Sequence, residues 1–193
     1  MKKKSSKFNM LTENKKAIPI AIFVGTYLPY SETFIYDQLQ HQKRYKGSVL
    51  ACERSSFVDR FPYDQLVILN ESQKSQYVKT GISHTFNRVF REYKPALIHA
   101  HFGTNGVFAT PFSKKFDCPL VTTFHGYDVA ALLPKNRFTR SYRRYKRLAP
   151  SFFKQARLCL ATSQELADIL INDIHVPAKK IEVYRLGIRA FND

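Results

Sequence analysis

His99, His101, His125 and Asp128 are the residues of this chain best suited to chemistry, and all of them fall in one stretch, Ala96–Val129. Glycines lie among them: His101-Phe102-Gly103-Thr104-Asn105-Gly106, then His125-Gly126-Tyr127-Asp128. An imidazole donates, accepts or carries charge near neutral pH, and glycine lets a ligand come close to the backbone. Such a set suits hydrogen bonding or proton transfer to a bound ligand. It is also similar to the histidine–carboxylate ligand sets of metal hydrolases. Against that second use, alternation of side chains along a strand is expected to turn His99 and His101 to opposite faces. They then chelate together only if the strand end bends.

Two short apolar runs position these residues. Ala96–Ala100 and Pro119–Phe124 each read as a strand buried on both faces, and each ends directly in a His-plus-Gly cluster. In an open parallel sheet, ligands bind just outside the carboxyl ends of the strands. Two neighbouring strands ending this way would build one wall of a cleft.

The rest of the chain supplies the sheet. Ile18–Thr26 is the first strand, broken by Pro29; Ser31-Glu32-Thr33 starts a helix to about Arg44, with Ser or Thr as its cap. Gly47–Cys52 and Leu66–Leu69 read as strands with a loop at 53–64 between them, and Gln76–Tyr93 as one helix with Tyr77, Ile82, Phe86, Val89, Phe90 and Tyr93 on one side. A helix is expected over Asn105–Phe116, ragged at Pro111, and another before the strand Leu158–Ala161, kinked or split at Pro150. Ser163 caps a helix bearing Leu166, Ile169 and Leu170, and Lys180–Tyr184 is the seventh strand. The alternation of strand and helix is that of an α/β fold, a Rossmann-like doubly wound parallel sheet spanning residues 17–193. Residues 1–16 are lysine-rich and expected to be a disordered tail.

Composition narrows the partners. The 193 residues are 44% hydrophobic, enough for a packed domain. The net charge of +16 calls for an anionic partner: nucleic acid, an anionic membrane face or a phosphorylated substrate. From Val129 to Gln164 there is no acidic residue, while Lys135, Arg137, Arg140, Arg143, Arg144, Lys146, Arg147, Lys154 and Arg157 occur. Aromatic residues between them suit stacked bases, yet they keep helical phase, which is plainly accounted for by one buried and one solvated face. Cys52, Cys118 and Cys159 show no metal spacing and read as free thiols in a reducing cytosol. No signal peptide and no run long enough to span a membrane is evident. A cytoplasmic protein touching the inner face of the membrane is the expectation. The first strand offers Gly25 but no GxGxxG, which speaks against a nicotinamide cofactor.

Five short motifs, in order, together resemble one family. Tyr27-Leu28-Pro29-Tyr30-Ser31-Glu32-Thr33-Phe34-Ile35, Ile98-His99-Ala100-His101-Phe102-Gly103, Thr122-Thr123-Phe124-His125-Gly126-Tyr127-Asp128, Thr162-Ser163-Gln164-Glu165-Leu166 and Ile181-Glu182-Val183-Tyr184-Arg185-Leu186-Gly187-Ile188 are similar to the N-terminal domain of retaining, family 4-type glycosyltransferases, particularly bacterial exopolysaccharide (colanic-acid-like) enzymes. The resemblance implies one half of a GT-B fold, in which a sugar passes from a nucleotide-sugar to a polysaccharide- or lipid-linked acceptor across a cleft between two domains. It implies that His125 contacts the donor sugar at the reaction centre and that Gly25 and Thr26 lie by the donor phosphates. Ser31, Glu32, Thr33, His101, Phe102, Gly103, Gly126, Asp128, Ser163 and Glu165 are implied in substrate binding. No metal or cofactor is expected beyond the nucleotide-sugar as co-substrate. Basic surface bearing Arg140, Arg143, Arg144 and Arg147 is expected to meet anionic membrane. Two departures stand out: Arg189 replaces the usual Asp, and the donor-binding C-terminal domain with its paired glutamates is not in the sequence. The chain alone is therefore expected to be inactive, as an excised domain, a truncated product or one half of a split enzyme. A metal-dependent hydrolase using His99, His101 and His125, or a basic nucleic-acid-binding module, are the alternatives.

Overall fold

The strands are β1 (Ile18–Tyr27), β2 (Tyr45–Arg54), β3 (Leu66–Ile68), β4 (Leu97–His101), β5 (Leu120–Phe124), β6 (Leu158–Ala161) and β7 (Ile181–Val183). The helices are α1 (Thr33–His41), α2 (Glu71–Thr80), α3 (His84–Tyr93), α4 (Gly103–Lys115), α5 (Tyr127–Ala130), α6 (Arg140–Gln155) and α7 (Gln164–Asn172). These come from a computed structural model, which describes residues 17–56, 58–134 and 140–187. The tail at 1–16, Lys135, Arg137, Phe138, Ile188, Arg189 and the side chain of Arg140 fall outside the described residues.

Every strand pairs in parallel, in the order β3-β2-β1-β4-β5-β6-β7. Chain order reverses between β1 and β4, which is where a sheet of this kind opens a crevice. Period-two alternation along β1 divides its side chains between two cores. Ile20, Ile22 and Val24 pack with Ile35 and Leu39 of α1, while Ala21 and Phe23 face the larger core under α2, α3, α4, α6 and α7. There the Phe23 ring lies 5.7 Å from Phe86, 6.2 Å from Phe90 and 5.5 Å from Phe112. Burying a side chain of this size is worth about 1.5–3 kcal/mol, so a polar residue in place of Phe23 would release α3 and α4 together.

Sequence expectation and structure part at several helices. Gln76–Tyr93 is two helices. Gly81, at φ 75°, ends α2 in the left-handed conformation that favours glycine, and the Ser83 hydroxyl accepts the Phe86 N–H to start α3. Ile82, in the turn, is 51% exposed instead of facing the core. The true start of α2 is a reciprocal cap between Asn70 and Gln73, a signal present in the sequence. α6 runs unbroken through Pro150. A proline inside a helix costs about 3 kcal/mol; burial of Tyr145, Ala149, Phe152 and Phe153 along the same helix outweighs that. Lys180 helps from a distance: its ammonium donates to the carbonyls of Phe153, Lys154 and Ala156, at 2.8, 2.9 and 2.8 Å, at the negative end of the α6 dipole.

Candidate active site

β1, β4 and β5 lie side by side, so the structure brings Gly25, His101 and His125 to one edge of the sheet. Each loop there is locked by hydrogen bonds. Phe102 has φ 68° and ψ 141°, a conformation that strains a residue with a Cβ. Its N–H donates to the Thr123 carbonyl at 2.8 Å. Next to it Gly103 opens α4 where no Cβ fits: one would lie 2.7 Å from the Phe124 ring and would also collide with the Tyr145 hydroxyl. Asn105, in the first turn of α4, donates to the His101 carbonyl at 2.7 Å and faces Gly25.

Asp128 ties the two loops together. It is 2% exposed. One carboxylate oxygen accepts the Gly103 N–H at 2.7 Å, and the other accepts the N–H groups of His125 and Gly126, both at 3.1 Å. Burial raises the Asp128 pKa, while the backbone N–H groups of Gly103, His125 and Gly126 pull the other way. The resemblance implies Asp128 in substrate binding; its oxygens are instead turned inward onto the backbone.

The three histidines form a row. His101 is 1% exposed, and its Nδ1 lies 3.3 Å from His125 Nε2. The His99 and His101 ring centroids are 4.5 Å apart, and His99 Nε2 lies 2.8 Å from Thr123 Oγ1. His99 and His101 thus share a side, which corrects the expectation of opposite faces: it is successive residues that alternate, and residues two apart that align. Phe34, from the first turn of α1, lies 4.9 Å from the His125 ring and 6.2 Å from His101. Phe102 covers His125 at 4.4 Å. Phe34 and Asn105 were not singled out for the site; Phe34 reads from sequence as one more apolar position of an amphipathic helix. Among the described residues no group of three His, Cys, Asp or Glu is placed to hold a metal ion.

The other residues named from sequence lie around this row. Thr26 donates to Glu53 at 3.3 Å. Ser31 and Glu32 form a 3-10 turn before α1; neither Ser31 nor Thr33 caps that helix, whose N-cap position is Glu32 without a side-chain bond. Burial raises the Glu32 pKa to about 7. Ser163 serves as the cap of α7, accepting the Leu166 N–H at 3.2 Å, and Glu165 is exposed in its first turn. Alongside, Phe34, Asp37, His41, His99, Leu160 and Tyr184 line a groove of about 480 Å³. The arginines do not form one free face. Arg143 and Arg147 are exposed, but Arg144 donates to the Val78 carbonyl and lies 5.1 Å over the Phe108 ring. Cys118 and Cys159 are buried free thiols, and Cys52 is half-buried.

Burial keeps the histidine row uncharged: His99 and His125 are each pushed down to about 4, and His101 well below its ordinary value. Neighbouring imidazoles add to this at His101 and His125. The unfolded chain binds protons near pH 6.5, so between about pH 6.5 and 4 it holds more protons than the fold, and stability falls as pH falls. For His99 alone the loss by pH 5 is about 2 kcal/mol. Glu32 and Asp128, raised instead of lowered, work in the opposite direction, and Glu32 offsets about one histidine. The urea midpoint is expected to drop steadily from pH 6.5 to 4.5. A midpoint that rises on acidification would show that the row is not neutral.

The sequence profile of Glycosyltransferase Family 4 matches residues 33–190. A sequence search of curated proteins finds no match. Among solved structures, Anabaena Alr3699/HepE in complex with UDP-glucose is similar at 18% identity and TM-score 0.61, covering 89% of this chain and 44% of that one. A UDP-N-acetylglucosamine 2-epimerase from Rickettsia bellii aligns at 11% identity and TM-score 0.57, covering 86% and 44%. The lipopolysaccharide outer core galactosyltransferase WaaB aligns at 12% identity and TM-score 0.56, covering 86% and 45%. The chain thus spans less than half the length of these structures, and the likeness is to one half of the GT-B fold.

Proposed function

Because the chain belongs to Glycosyltransferase Family 4, we propose that it is the N-terminal, acceptor-side half of a retaining enzyme that moves a sugar from a nucleotide-sugar to a polysaccharide- or lipid-linked acceptor. The observation that carries this is the shared edge of β1, β4 and β5, where Gly25 and a neutral, half-buried His125 stand at the crevice of the sheet. The UDP and UDP-glucose bound by HepE support a uridine-diphosphate sugar as donor. A second domain carrying the nucleotide site would form the opposite wall.

Transfer breaks the bond between the sugar C1 and a phosphate oxygen. The nucleotide leaves with the electron pair, and an acceptor oxygen bonds to C1 and gives up its proton. Positive charge develops on the sugar ring meanwhile. An uncharged imidazole suits this place: His125 can hold a sugar hydroxyl by a hydrogen bond without setting a like charge beside the ring. Thr26, Ser31, Glu32 and Thr33 lie at or after the end of β1 and Phe102 after β4, where acceptor or donor groups would rest. The test joins the chain to a family 4 donor-binding half and measures sugar transfer from a panel of uridine-diphosphate sugars. Transfer is expected from the joined protein, unaffected by chelator, and none from the chain alone. Interconversion of UDP-N-acetylglucosamine without transfer would overturn the assignment in favour of an epimerase, and loss of activity to chelator would restore the metal reading.

We also propose that the basic surface docks on anionic membrane at the inner face of the cell membrane, where lipid-linked acceptors reside. Among the described residues no helix is long and apolar enough to cross a membrane. Exposed Arg143 and Arg147 support the idea; each basic group near such a surface contributes about 1 kcal/mol. The chain is expected to sediment with vesicles containing phosphatidylglycerol and to be released by high salt. Replacing both arginines with glutamine should reduce the bound fraction. Equal sedimentation with neutral vesicles, or tight sequence-selective binding to short RNA, would refute it.

A further inference from the structure

The contact between His101 and His125 can hold only one proton. Both rings are neutral, so each has one N–H, and the 3.3 Å contact joins His101 Nδ1 to His125 Nε2. Either His101 donates from Nδ1, which leaves the His125 proton on Nδ1, or His125 donates from Nε2, which puts the His101 proton on Nε2. The surroundings choose between them. His101 is 1% exposed, and among the described residues its Nε2 meets no hydrogen-bond partner. A proton there would find no acceptor among the described protein groups and, with the residue 1% exposed, little water to meet it, which is costlier than a satisfied donor. A bare lone pair in that place is less costly. His125 is only half-buried, so its Nδ1 proton can be met by water or a ligand.

We propose that His101 is a positioning residue: it donates its Nδ1 proton to His125 Nε2 and so fixes His125 as the Nδ1–H tautomer, a hydrogen-bond donor at the ring nitrogen His101 does not engage. The ring centroids are 5.5 Å apart and the two planes 27° from parallel, which suits an in-plane N–H···N bond, and Phe34 and Phe102 lie against His125. The Asp128 bonds to the backbone of His125 and Gly126 fix the loop that carries the ring. What the tautomer does for sugar transfer rests on the function proposed above; the tautomer itself rests on geometry alone. The site accordingly selects a ligand group that accepts a hydrogen bond from His125, such as a sugar hydroxyl oxygen, over one that only donates.

The test needs neither donor nor acceptor. The chain is labelled with ¹⁵N-histidine, and two-bond ¹H–¹⁵N correlation at pH 7 reports which nitrogen of each ring is protonated; His125→Ala identifies the His125 signals. The Nδ1–H pattern is expected for both His101 and His125. In His101→Phe, His125 should revert to the Nε2–H form that a free imidazole prefers. In His101→Asn, whose amide donor stands close to the place of Nδ1, it should return to Nδ1–H. An Nε2–H pattern for His125 in the unaltered chain overturns the proposal, even if the variants fail to fold. So does a His101→Phe protein that folds and leaves His125 unchanged. If the tautomer is as assigned but the joined protein transfers no sugar, the function fails and this assignment stands; if transfer proceeds with the other tautomer, the reverse holds.

Discussion

His125→Ala, in the chain joined to a donor-binding half, is expected to lower turnover on the order of 10²-fold while the protein stays folded. The ring is held by Phe34 at 4.9 Å, Phe102 at 4.4 Å and the His101 nitrogen at 3.3 Å, with its remaining edge open to a ligand. An imidazole set this firmly can meet developing charge without first being oriented. Removing it leaves that charge to water or to nothing. The fold should tolerate the change, because the ring is half-buried and its burial already works against its charged form. A loss of about 1–2 kcal/mol from the small void is well inside the 5–15 kcal/mol of an ordinary domain. The kinetic split is informative. A fall in kcat with KM nearly unchanged places His125 on the transition state, and a rise in KM alone makes it a binding group. Turnover within a few-fold of the unaltered enzyme would remove His125 from the reaction.

Much of this site is legible in the sequence because it hangs on strand ends. Apolar runs of about five residues, each followed by a glycine cluster, mark where a parallel sheet ends and a ligand can begin. That logic sets His101 and His125 on neighbouring strands, and the pairing of β4 with β5 agrees. What it does not give is the direction of each side chain. Asp128 looks like a ligand-facing carboxylate, yet sits 2% exposed under two loops. Nothing local distinguishes the two, since the amide groups it accepts come partly from Gly103, twenty-five residues earlier. Phe34 is hidden for the same reason: its contacts are with His101 and His125, far along the chain. Arg144 keeps helical phase with the exposed arginines, but a carbonyl at the end of α2 and the Phe108 ring of α4 draw it aside. Boundaries drift where caps decide them. The break at Gly81 could have been read from glycine followed by Ser83, and the start of α2 from Asn70 and Gln73.

Asp128→Ala is expected to destabilise the chain by about 3–5 kcal/mol. The carboxylate accepts from Gly103, His125 and Gly126, at 2.7, 3.1 and 3.1 Å, and no other acceptor replaces it among the described residues. Alanine leaves these backbone donors without a partner in a buried place, at about 1–3 kcal/mol each where water cannot enter. Part of this is returned, since burial raises the Asp128 pKa and the ionised group is itself under strain from desolvation. The return is smaller than the loss, because the N–H groups stay after the charge has gone. Asparagine is the discriminating variant. Its one carbonyl oxygen can keep either Gly103 or the His125–Gly126 pair, while its amide donor confronts the remaining N–H, so a loss of about 1–3 kcal/mol is expected. Urea unfolding of the three proteins measures the order directly. The joined enzyme adds a second readout: with the loop after β5 released, His125 should lose its place and turnover should fall even where the fold survives. If Asp128→Ala loses less than about 1 kcal/mol and keeps full turnover, the carboxylate does not hold the two loops, and the position of His125 must be owed to the packing of Phe34 and Phe102 alone.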